Sequence, residues 1–386
     1  MARVVLAGYL VRQPLGGYEW QAAHYLLGLR ALGHDAWFYE ETAHWAPAYN
    51  PMTGEFGPSY EYGLLVAADF LGRLGFDDHW AFVDSARGIE YGTDAGRIAT
   101  LLTDADLLID IAGVNRVTAD RRGGRPSVFV DIDPGYTQIR AAQGDAELRR
   151  LLDEHAHLFT IGENIGTARS PLPTGGYRWH PTRCPVAVEQ WAGEGAPGSA
   201  YTTIGTWDSQ GRDVEWEGEA YCWRKRTEWQ RFLELPRRSG ARLELAMDVA
   251  RIPEDLARLD AYGWRVEDPL AVSTDPWRYR DYILGSRGEF TVAKDINVRL
   301  RSGWFSDRAA CYLAAGRPVV EQDTAFGDVL PLGPGVHAFR TIEEAAEAIR
   351  TIESDWPRAS AHALEVAREY FAAEKVVAEM LRTVGL

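Results

Sequence analysis

The chain has few cysteines, no long apolar run and no excess of positive charge. Its three cysteines, Cys184, Cys222 and Cys311, lie far apart and form neither a CxxC pair nor an even disulfide set. This spacing argues against a structural zinc site and is typical of a reducing, cytoplasmic environment. No apolar run reaches the about 18 residues that a membrane span needs. The amino-terminal segment MARVVLAGYLV is interrupted at Arg12, so we interpret it as a buried first strand rather than a signal peptide.

Because the net charge is −15, the protein is not expected to bind a nucleic-acid backbone or an anionic membrane over a large part of its surface. A composition of 46% hydrophobic and 25% charged residues is that of a globular protein and gives no reason to expect disorder. At 386 residues the chain is too long for one ordinary hydrophobic core. Length therefore favours two domains.

Strands and helices alternate in both halves of the chain. In the first half the pattern predicts a helix over residues 19–32 and the following strands: 4–7, 36–39, 107–111, 127–130 and 158–161. A segment rich in Gly and Pro, residues 166–200, separates the halves. In the second half it predicts strands over 200–204, 242–247, 263–267 and 289–292, and helices over 221–233, 253–262, 277–284, 342–353 and 359–384. This alternation predicts two Rossmann-like domains that face one cleft.

The most informative segment is SGWFSDRAACYLAAGRPVV, residues 302–320. It predicts a helix that begins near Ser306 or Asp307, ends at Gly316 and leads into a strand at Val319. A short side-chain oxygen at the start of a helix satisfies amide donors that would otherwise be unpaired. The remaining amides and the helix dipole make such a start an anion site.

These residues, followed by Gln322-Asp323-Thr324, resemble the donor-binding half of the GT-B glycosyltransferases. The closest resemblance is to a bacterial group, of the family 1/4 kind, with the motif Gly-Trp-Phe-Ser-Asp-Arg found here at residues 303–308. The resemblance implies an acceptor domain over residues 1–185 and a donor domain over 199–360, with a last helix over 361–386 that packs back on the first domain. It also implies a cytoplasmic enzyme that moves a sugar from a nucleotide-diphosphate sugar to a small-molecule or glycan hydroxyl. No metal and no other cofactor is expected, and assembly into a homo-oligomer stays open.

The chain departs from the large retaining GT-B families at one point. Those families carry a spaced pair of glutamates in this segment, and the equivalent positions here are Gly303 and Cys311. Ribose binding must therefore use other groups. The choice between inverting and retaining chemistry stays open.

Candidate donor-binding residues follow from local charge and from the resemblance. Residues 287–308 contain five basic and three acidic side chains, in contrast to the acidic chain as a whole. A leaving diphosphate needs such positive charge. Either Trp304 or Phe305 could stack on a base or sugar, or both could fill the gap between the domain cores. The predicted donor residues are Glu289, Lys294, Trp304, Phe305, Ser306, Asp307 and Arg308.

Candidate catalytic residues lie in the first half. Asp131 and Asp133 follow the strand 127–130, where open α/β sheets place ligand contacts, and either could deprotonate an acceptor hydroxyl. Asp133 could instead only cap the turn before Pro134. Glu19 is the rival base, ahead of His24, which we interpret as a core histidine.

Five further residues are predicted to line the cleft. The pair Gly16-Gly17 allows a close backbone approach to a ligand but is not a dinucleotide fingerprint. The others are Gln138, in the same cluster as Asp133, and Glu163 and Asn164, which follow another strand near the hinge.

No metal-ligand spacing occurs. A DxD-like pair exists only at Asp131/Asp133 and Asp104/Asp106, both in the predicted acceptor domain. Two other functions stay open at this point: a nucleotide-sugar epimerase of the same architecture, and a non-catalytic protein that binds nucleotides or glycans.

Overall fold

The computed structural model describes residues 1–43, 46–193, 196–209 and 211–386. The strands, in chain order, are β1 Arg3–Ala7, β2 Asp35–Glu41, β3 Ala48–Asn50, β4 Glu55–Gly57, β5 Trp80–Asp84, β6 Ile89–Gly92, β7 Leu107–Ile111, β8 Ser127–Asp131, β9 His157–Thr160, β10 Trp179–Pro181, β11 Ala200–Gly205, β12 Val214–Trp216, β13 Glu219–Tyr221, β14 Arg242–Met247, β15 Arg265–Glu267, β16 Gly288–Thr291, β17 Val319–Gln322 and β18 Val336–Phe339.

The α-helices, in chain order, are α1 Gly16–Ala31, α2 Glu61–Arg73, α3 Ala95–Asp104, α4 Tyr136–Ala142, α5 Ala146–Asp153, α6 Arg226–Trp229, α7 Leu235–Ser239, α8 Pro253–Tyr262, α9 Pro269–Ser273, α10 Pro276–Leu284, α11 Asp295–Arg299, α12 Asp307–Ala314, α13 Ile342–Ser354, α14 Trp356–Val366 and α15 Ala373–Val384. A π-helical turn, Ala367–Phe371, lies between α14 and α15. No helix in the part of the chain that the structure describes is long and apolar enough to cross a membrane.

The first sheet has the strand order β10-β9-β8-β7-β1-β2-β5-β6. All neighbouring strands are parallel except β5 and β6, which are antiparallel. Its central strands β1, β7 and β8 are almost completely buried, as expected for a parallel sheet with helices on both faces. Strand β1 lies between β2 and β7, so later strands are added on one side of β1 first and then on the other, and this reversal of strand order creates a crevice at the carboxyl ends of the strands.

The second sheet has the order β15-β14-β11-β16-β17-β18 and is parallel throughout. Its first strand, β11, lies between β14 and β16, so the same reversal occurs here. One face of this sheet packs an aromatic core that includes Trp229, Trp264, Phe290 and Phe339.

The end of the chain returns to the first helix. Val186 donates a backbone hydrogen bond to Phe371 (2.7 Å) and accepts one from Ala373 (2.9 Å). Helix α15 then packs along α1, so closely that a Cβ on Gly28 would lie 2.9 Å from the carbonyl carbon of Ala373. The last helix thus packs against the first-sheet half of the molecule.

The helix predicted over residues 221–233 is wrong at its beginning. Residues 214–221 form the antiparallel hairpin β12–β13. Its two turn residues, Glu217 and Gly218, have φ angles of 51° and 82°. Two consecutive positive φ angles are what a tight hairpin turn of right-handed twist requires. The helix is therefore restricted to α6, and Trp223, after the hairpin, packs against Tyr136 of the first-sheet half with ring centroids 5.3 Å apart.

Candidate functional site

A cavity of about 850 Å³ lies between the two sheets. Loops after β1, β7 and β8 line one wall, through Tyr9, Gly113 and Asp133. Residues after β11 and β16 and at the start of α12 line the other wall. Both walls are thus built from the carboxyl ends of parallel strands, where open α/β sheets bind ligands. The volume is in the usual range for a small-molecule site, about 300–1,000 Å³.

The second wall is cationic. Arg212, Lys225, Lys294 and Arg308 all line the cavity. The chain has only three lysines, and two of them are in this group, the third being Lys375 in α15. A concentration of positive side chains in a protein of net charge −15 indicates an anionic ligand.

Arg308 is held in place by three acceptors. Its Nε donates to Glu289 Oε1 (2.5 Å), its Nη1 to the carbonyl of Ile204 (2.7 Å) and its Nη2 to Thr291 Oγ1 (2.9 Å). Glu289 is fully buried and also accepts a hydrogen bond from Thr203 Oγ1 (2.9 Å). The carboxylate of Glu289 thus positions Arg308 and does not line the cavity. This geometry does not support the predicted contact between Glu289 and a ribose or sugar.

Lys225 lies among other charges in the second wall of the cavity. Its ammonium group is 5.1 Å from the centroid of the Trp304 ring. Burial, with repulsion from Arg308, lowers the pKa of Lys225 to about 7. Burial, with repulsion from Glu289, raises the pKa of Glu321 to about 8. Near neutral pH this pair therefore changes its charge readily, a property common at functional sites.

Asp133 crosses the cavity to the opposite wall. Its Oδ1 accepts from Lys294 Nζ (3.2 Å) and its Oδ2 from Arg212 Nη1 (2.8 Å). Lys294 also lies over the Trp223 ring, 3.1 Å from its centroid, and Arg212 lies 5.2 Å from the same centroid. The two cations pack on Trp223 and together hold the carboxylate of Asp133, which belongs to the first wall.

Asp131 and Gln138 are part of a buried network rather than of the cavity wall. Asp131 accepts hydrogen bonds from Thr137 Oγ1 (2.7 Å), Gln138 Nε2 (2.7 Å), Thr160 Oγ1 (2.8 Å) and the Asp133 amide (3.1 Å). Gln138 Oε1 in turn accepts from the Gly135 amide (2.7 Å). Burial raises the pKa of Asp131. The network fixes the turn that presents Asp133.

Glu19, the rival base, is fully buried and does not line the cavity. Neither of its carboxylate oxygens has a hydrogen-bond partner within the described ranges. Burial, with repulsion from Asp275, raises its pKa well above the usual value. His24 is also a core residue, since its Nδ1 accepts from the Ala187 amide (3.1 Å) and burial lowers its pKa to about 3.

The start of α12 differs from the predicted anion site. Ser306 occupies the N-cap position, but its side chain makes no capping hydrogen bond. The Ser306 amide donates to Glu321 Oε1 (3.2 Å), and the Arg308 amide donates to Asp307 Oδ1 (2.8 Å). Two amides that the sequence offered to a phosphate are therefore occupied by carboxylates of the protein. The positive charge at this place comes from side chains.

Trp304 and Phe305 fill the space between the two halves of the molecule. The Phe305 ring packs against Phe326 and Phe371, with centroids 5.1 and 5.3 Å apart. Trp304 packs with Ile161 in a small apolar cluster and is 9% exposed. Neither ring lines the cavity, so the geometry favours the packing role over stacking on a ligand.

Neither Glu163 nor Asn164 lines the cavity: Asn164 connects the two halves, and Glu163 pairs with Arg183, whose Nη2 also donates to the Val329 carbonyl (2.9 Å). Glu163 binds Arg183 through both carboxylate oxygens (2.6 and 2.9 Å). The Asn164 amide donates to Ser302 O (3.0 Å), and its Nδ2 donates to Ala325 O (3.0 Å). These contacts hold the segment before α12 against the first-sheet half.

Gly16 and Gly17 allow a close approach, but the approaching group is a protein side chain. A Cβ on Gly16 would lie 2.5 Å from the Cβ of Tyr279 in α10, whereas a Cβ on Gly17 would be 3.8 Å from its hydroxyl. Glycine at position 16 is therefore required by the packing of α1 on α10.

Gly16→Ala should lower the free energy of unfolding by about 1–3 kcal/mol, the usual cost of overpacking a close contact. Gly17→Ala is the matched control, because a methyl group there meets only ordinary van der Waals contact. Urea unfolding of both variants measures the difference. Equal stability of the two variants would contradict the packing explanation.

Most of the residues that line the cavity were not predicted from the sequence, and among them are three that build the second wall: Arg212, Trp223 and Lys225. They lie before and after the hairpin β12–β13, which the periodicity does not reveal. The scarcity of lysine was the available signal. In a chain that otherwise uses arginine for positive charge, two of the three lysines, Lys225 and Lys294, line the cavity.

Among the residues that the structure describes, no group of three His, Cys, Asp or Glu side chains is arranged to hold a metal ion.

Comparison with known proteins places the fold. No family model matches the chain, and no curated protein matches it by sequence. Solved structures do match over nearly its whole length. An alpha-glucosyltransferase in complex with UDP and a mismatched 13-mer DNA has a TM-score of 0.61 at 11% identity, with 100% of both chains covered. Anabaena HepE in complex with UDP-glucose has a TM-score of 0.57 at 10% identity, covering 99% of this chain and 100% of its own.

A third match is AviGT4, a glycosyltransferase involved in avilamycin A biosynthesis, with a TM-score of 0.55 at 14% identity and coverage of 99% of this chain and 97% of that one. At these identities the similarity shows the fold. The predicted fold class is confirmed: the chain has the α/β GT-B architecture of these glycosyltransferases, with two mainly parallel sheets facing a cleft.

Proposed function

We propose that this protein is a glycosyltransferase that uses a nucleotide-diphosphate sugar, of the GT-B group with the Gly-Trp-Phe-Ser-Asp-Arg motif. The observation that carries the proposal is the cavity between the two sheets, in which Arg212, Lys225, Lys294 and Arg308 form one cationic wall. A diphosphate carries the complementary charge. The UDP and UDP-glucose bound by structures of the same fold support this class of donor.

In this proposal the donor diphosphate lies against Lys225, Lys294 and Arg308. Arg308 is preorganised, because Glu289, Ile204 and Thr291 fix its guanidinium before any ligand binds. Fixed positive charge stabilises the negative charge that develops on the leaving diphosphate, and fixed groups need no reorganisation during the reaction. Side chains that supply this charge are consistent with transfer that does not depend on a metal.

Asp133 has two roles in succession. Without donor it neutralises Lys294 and Arg212. A bound diphosphate takes over these cations and releases the carboxylate on the acceptor side of the cavity. The released carboxylate then accepts the proton of the acceptor hydroxyl. The hydroxyl oxygen bonds to the anomeric carbon, and the bond from that carbon to the diphosphate oxygen breaks with its electron pair on the departing nucleotide.

Thermal unfolding in the presence of UDP-, GDP- and dTDP-sugars tests donor binding, because a ligand that binds the native state raises the melting temperature. Lys294→Met should weaken binding of the best donor by about 1–3 kcal/mol, the cost of one charge-assisted contact. Lys375→Met is the control, because Lys375 lies in α15, outside the cavity, in an exposed ion pair with Glu369. No shift with any donor would overturn the proposal.

Product analysis separates the other functions. Conversion of the donor sugar without an acceptor would indicate an epimerase, and binding without turnover would indicate a binding protein. Full activity in EDTA is the result expected for metal-independent transfer, whereas loss in EDTA with recovery in Mg²⁺ or Mn²⁺ would contradict it.

Donor affinity should fall as pH rises from about 6 to about 9, by about tenfold or more, the worth of a charge-assisted contact. Lys225, with its pKa lowered to about 7, loses its positive charge over this range. Glu321, with its pKa raised to about 8, gains a negative charge over the same range. Both changes disfavour a diphosphate. Isothermal titration with an intact nucleotide sugar, whose diphosphate diester does not titrate here, measures the effect.

Lys225→Arg is the control for this pH dependence, because arginine stays charged throughout. Its affinity should depend on pH less steeply than that of the wild type. An identical profile in wild type and Lys225→Arg would show that the lysine does not contact the donor.

A further inference from the structure

The hairpin β12–β13 belongs to neither of the two large sheets. In sequence it lies in the second-sheet half, between β11 and α6, but it contacts both halves of the molecule. Tyr221 is buried in one apolar cluster with Ile139 of α4 and Ile296 of α11. Gln143, directly after α4, donates from Nε2 to the Glu215 carbonyl (2.6 Å). Because a two-stranded hairpin alone is only marginally stable, these contacts from both halves fix its position.

The segment that leaves the hairpin carries Trp223 to the cavity. Its amide donates to Asp213 Oδ1 (2.8 Å), and the preceding Cys222 amide donates to Asp295 Oδ2 (3.2 Å) in the first turn of α11. From the other side, the ring of Tyr136 packs against the indole with a centroid distance of 5.3 Å and an interplanar angle of 64°. The indole is 7% exposed and lines the cavity. Contacts from both halves therefore fix its orientation.

The indole of Trp223 contacts two of the four cations of the cavity wall. Lys294 Nζ lies 3.1 Å from the ring centroid, and an atom so close to a centroid lies above the face of the ring. The Arg212 guanidinium carbon is 5.2 Å from the same centroid. Within the described ranges, the carboxylate of Asp133 is the only hydrogen-bond partner of Lys294 Nζ. When a ligand displaces that carboxylate, the contact with the ring remains.

We propose, building on the glycosyltransferase function above, that Trp223 is a positioning residue for the donor. Its ring places Lys294 and Arg212 at the diphosphate, and Tyr136 of the first-sheet half supports the ring. Lysine and arginine side chains are long and flexible, so a cation that is already oriented loses less freedom when it binds a phosphate. The face of an indole attracts a cation without neutralising its charge. The donor site is therefore completed by a residue from the opposite half of the molecule.

A measurement without donor tests the contact between the ring and the ammonium group. The chain has three lysines, so ¹³C-lysine labelling gives three sets of side-chain signals, and Lys294→Met assigns one of them. The ε-methylene protons of Lys294 should resonate at higher field than those of Lys375, because protons above an aromatic face are shielded. This shift should disappear in Trp223→Leu. It should persist in Trp216→Leu, the matched control within β12, whose side chain does not line the cavity.

A double-mutant cycle tests the positioning role. Trp223→Leu should weaken binding of the best nucleotide sugar by about 2- to 30-fold, the range of a cation–π contact, and Trp223→Phe by less, because it keeps an aromatic face. In the Lys294→Met background, Trp223→Leu should have a smaller effect, since two groups that act through one contact are not additive. Trp216→Leu should keep the wild-type affinity. Tyr136→Leu should weaken donor binding, whereas Tyr136→Phe should not.

Three results would overturn the proposal: a Lys294 signal that is not shifted or that keeps its shift in Trp223→Leu, an equal effect of Trp223→Leu with and without Lys294, or an equal loss of affinity in Trp216→Leu. Inorganic pyrophosphate keeps this inference separate from the proposed function. If pyrophosphate binds and no nucleotide sugar does, the glycosyltransferase function fails, and the same cycle with pyrophosphate decides the role of Trp223. If neither ligand binds the wild type, both proposals are wrong.

Discussion

Arg308→Ala should lower the free energy of unfolding by about 3–5 kcal/mol, the cost of leaving a buried charge without its partner. Glu289 is fully buried, and Arg308 Nε lies 2.5 Å from its Oε1, with only 12% of the arginine side chain exposed. In the variant Thr203 is the other group known to donate to this carboxylate. Urea unfolding monitored by tryptophan fluorescence measures the loss.

The double variant Glu289→Gln with Arg308→Met identifies the cause. It removes both charges while it keeps similar volumes, so it should recover much of the lost stability. Arg301→Ala is the matched surface control, because its pair with Asp328 is exposed (52% and 39%) and such pairs contribute about 0–1 kcal/mol. Similar stability of Arg308→Ala and Arg301→Ala would show that the buried pair does not support the fold. The double variant should remain unable to bind donor tightly, since its cavity lacks the guanidinium.

Much of the fold is encoded in local sequence. The strands Leu107–Ile111 and Arg242–Met247 have the predicted bounds, because each is a short apolar run between turns. Helix α8 also has the predicted bounds, with Pro253 at its first position and the left-handed Gly263 at its end. The hairpin β12–β13 was missed since Glu217 in a positive-φ turn carries no strong sequence signal.

The site could be predicted only in part. Asp133, Lys294 and Arg308 do line the cavity, because residues at the carboxyl ends of strands meet there. Local sequence does not show which distant residue each polar side chain contacts. Asp133 and Lys294 are 161 positions apart, and Asn164 and Ala325 are also 161 apart. Whether a polar residue faces a ligand or the other half of the molecule depends on such pairs. Asn164 and Gly16 therefore contact residues from the second half of the chain, and Glu163 pairs with Arg183, although their types suited a ligand site.

Asp133→Asn should reduce turnover by about 10²–10⁴-fold, the range for loss of a positioned proton acceptor. Donor affinity should increase in the same variant, because Lys294 and Arg212 no longer need to leave a carboxylate before they bind a diphosphate. Lower turnover together with higher donor affinity identifies Asp133 as a base that also competes with the donor for Lys294 and Arg212. Loss of a residue that only supports the fold would lower both quantities. Single-turnover rates and titration with a nucleotide sugar measure the two quantities.

Asp131→Asn and Glu19→Gln are the comparisons that decide among the three carboxylates. Asp131 accepts four hydrogen bonds in the turn before α4, so its replacement should lower the melting temperature and reduce all other properties with it. Glu19 does not line the cavity, and glutamine has nearly the same shape, so Glu19→Gln should keep near-native turnover. Near-native turnover in Asp133→Asn would remove Asp133 from the chemistry. A loss of turnover confined to Glu19→Gln would then make Glu19 the proton acceptor. That role would require the first turn of α1 to move so that the Glu19 side chain reaches the cleft.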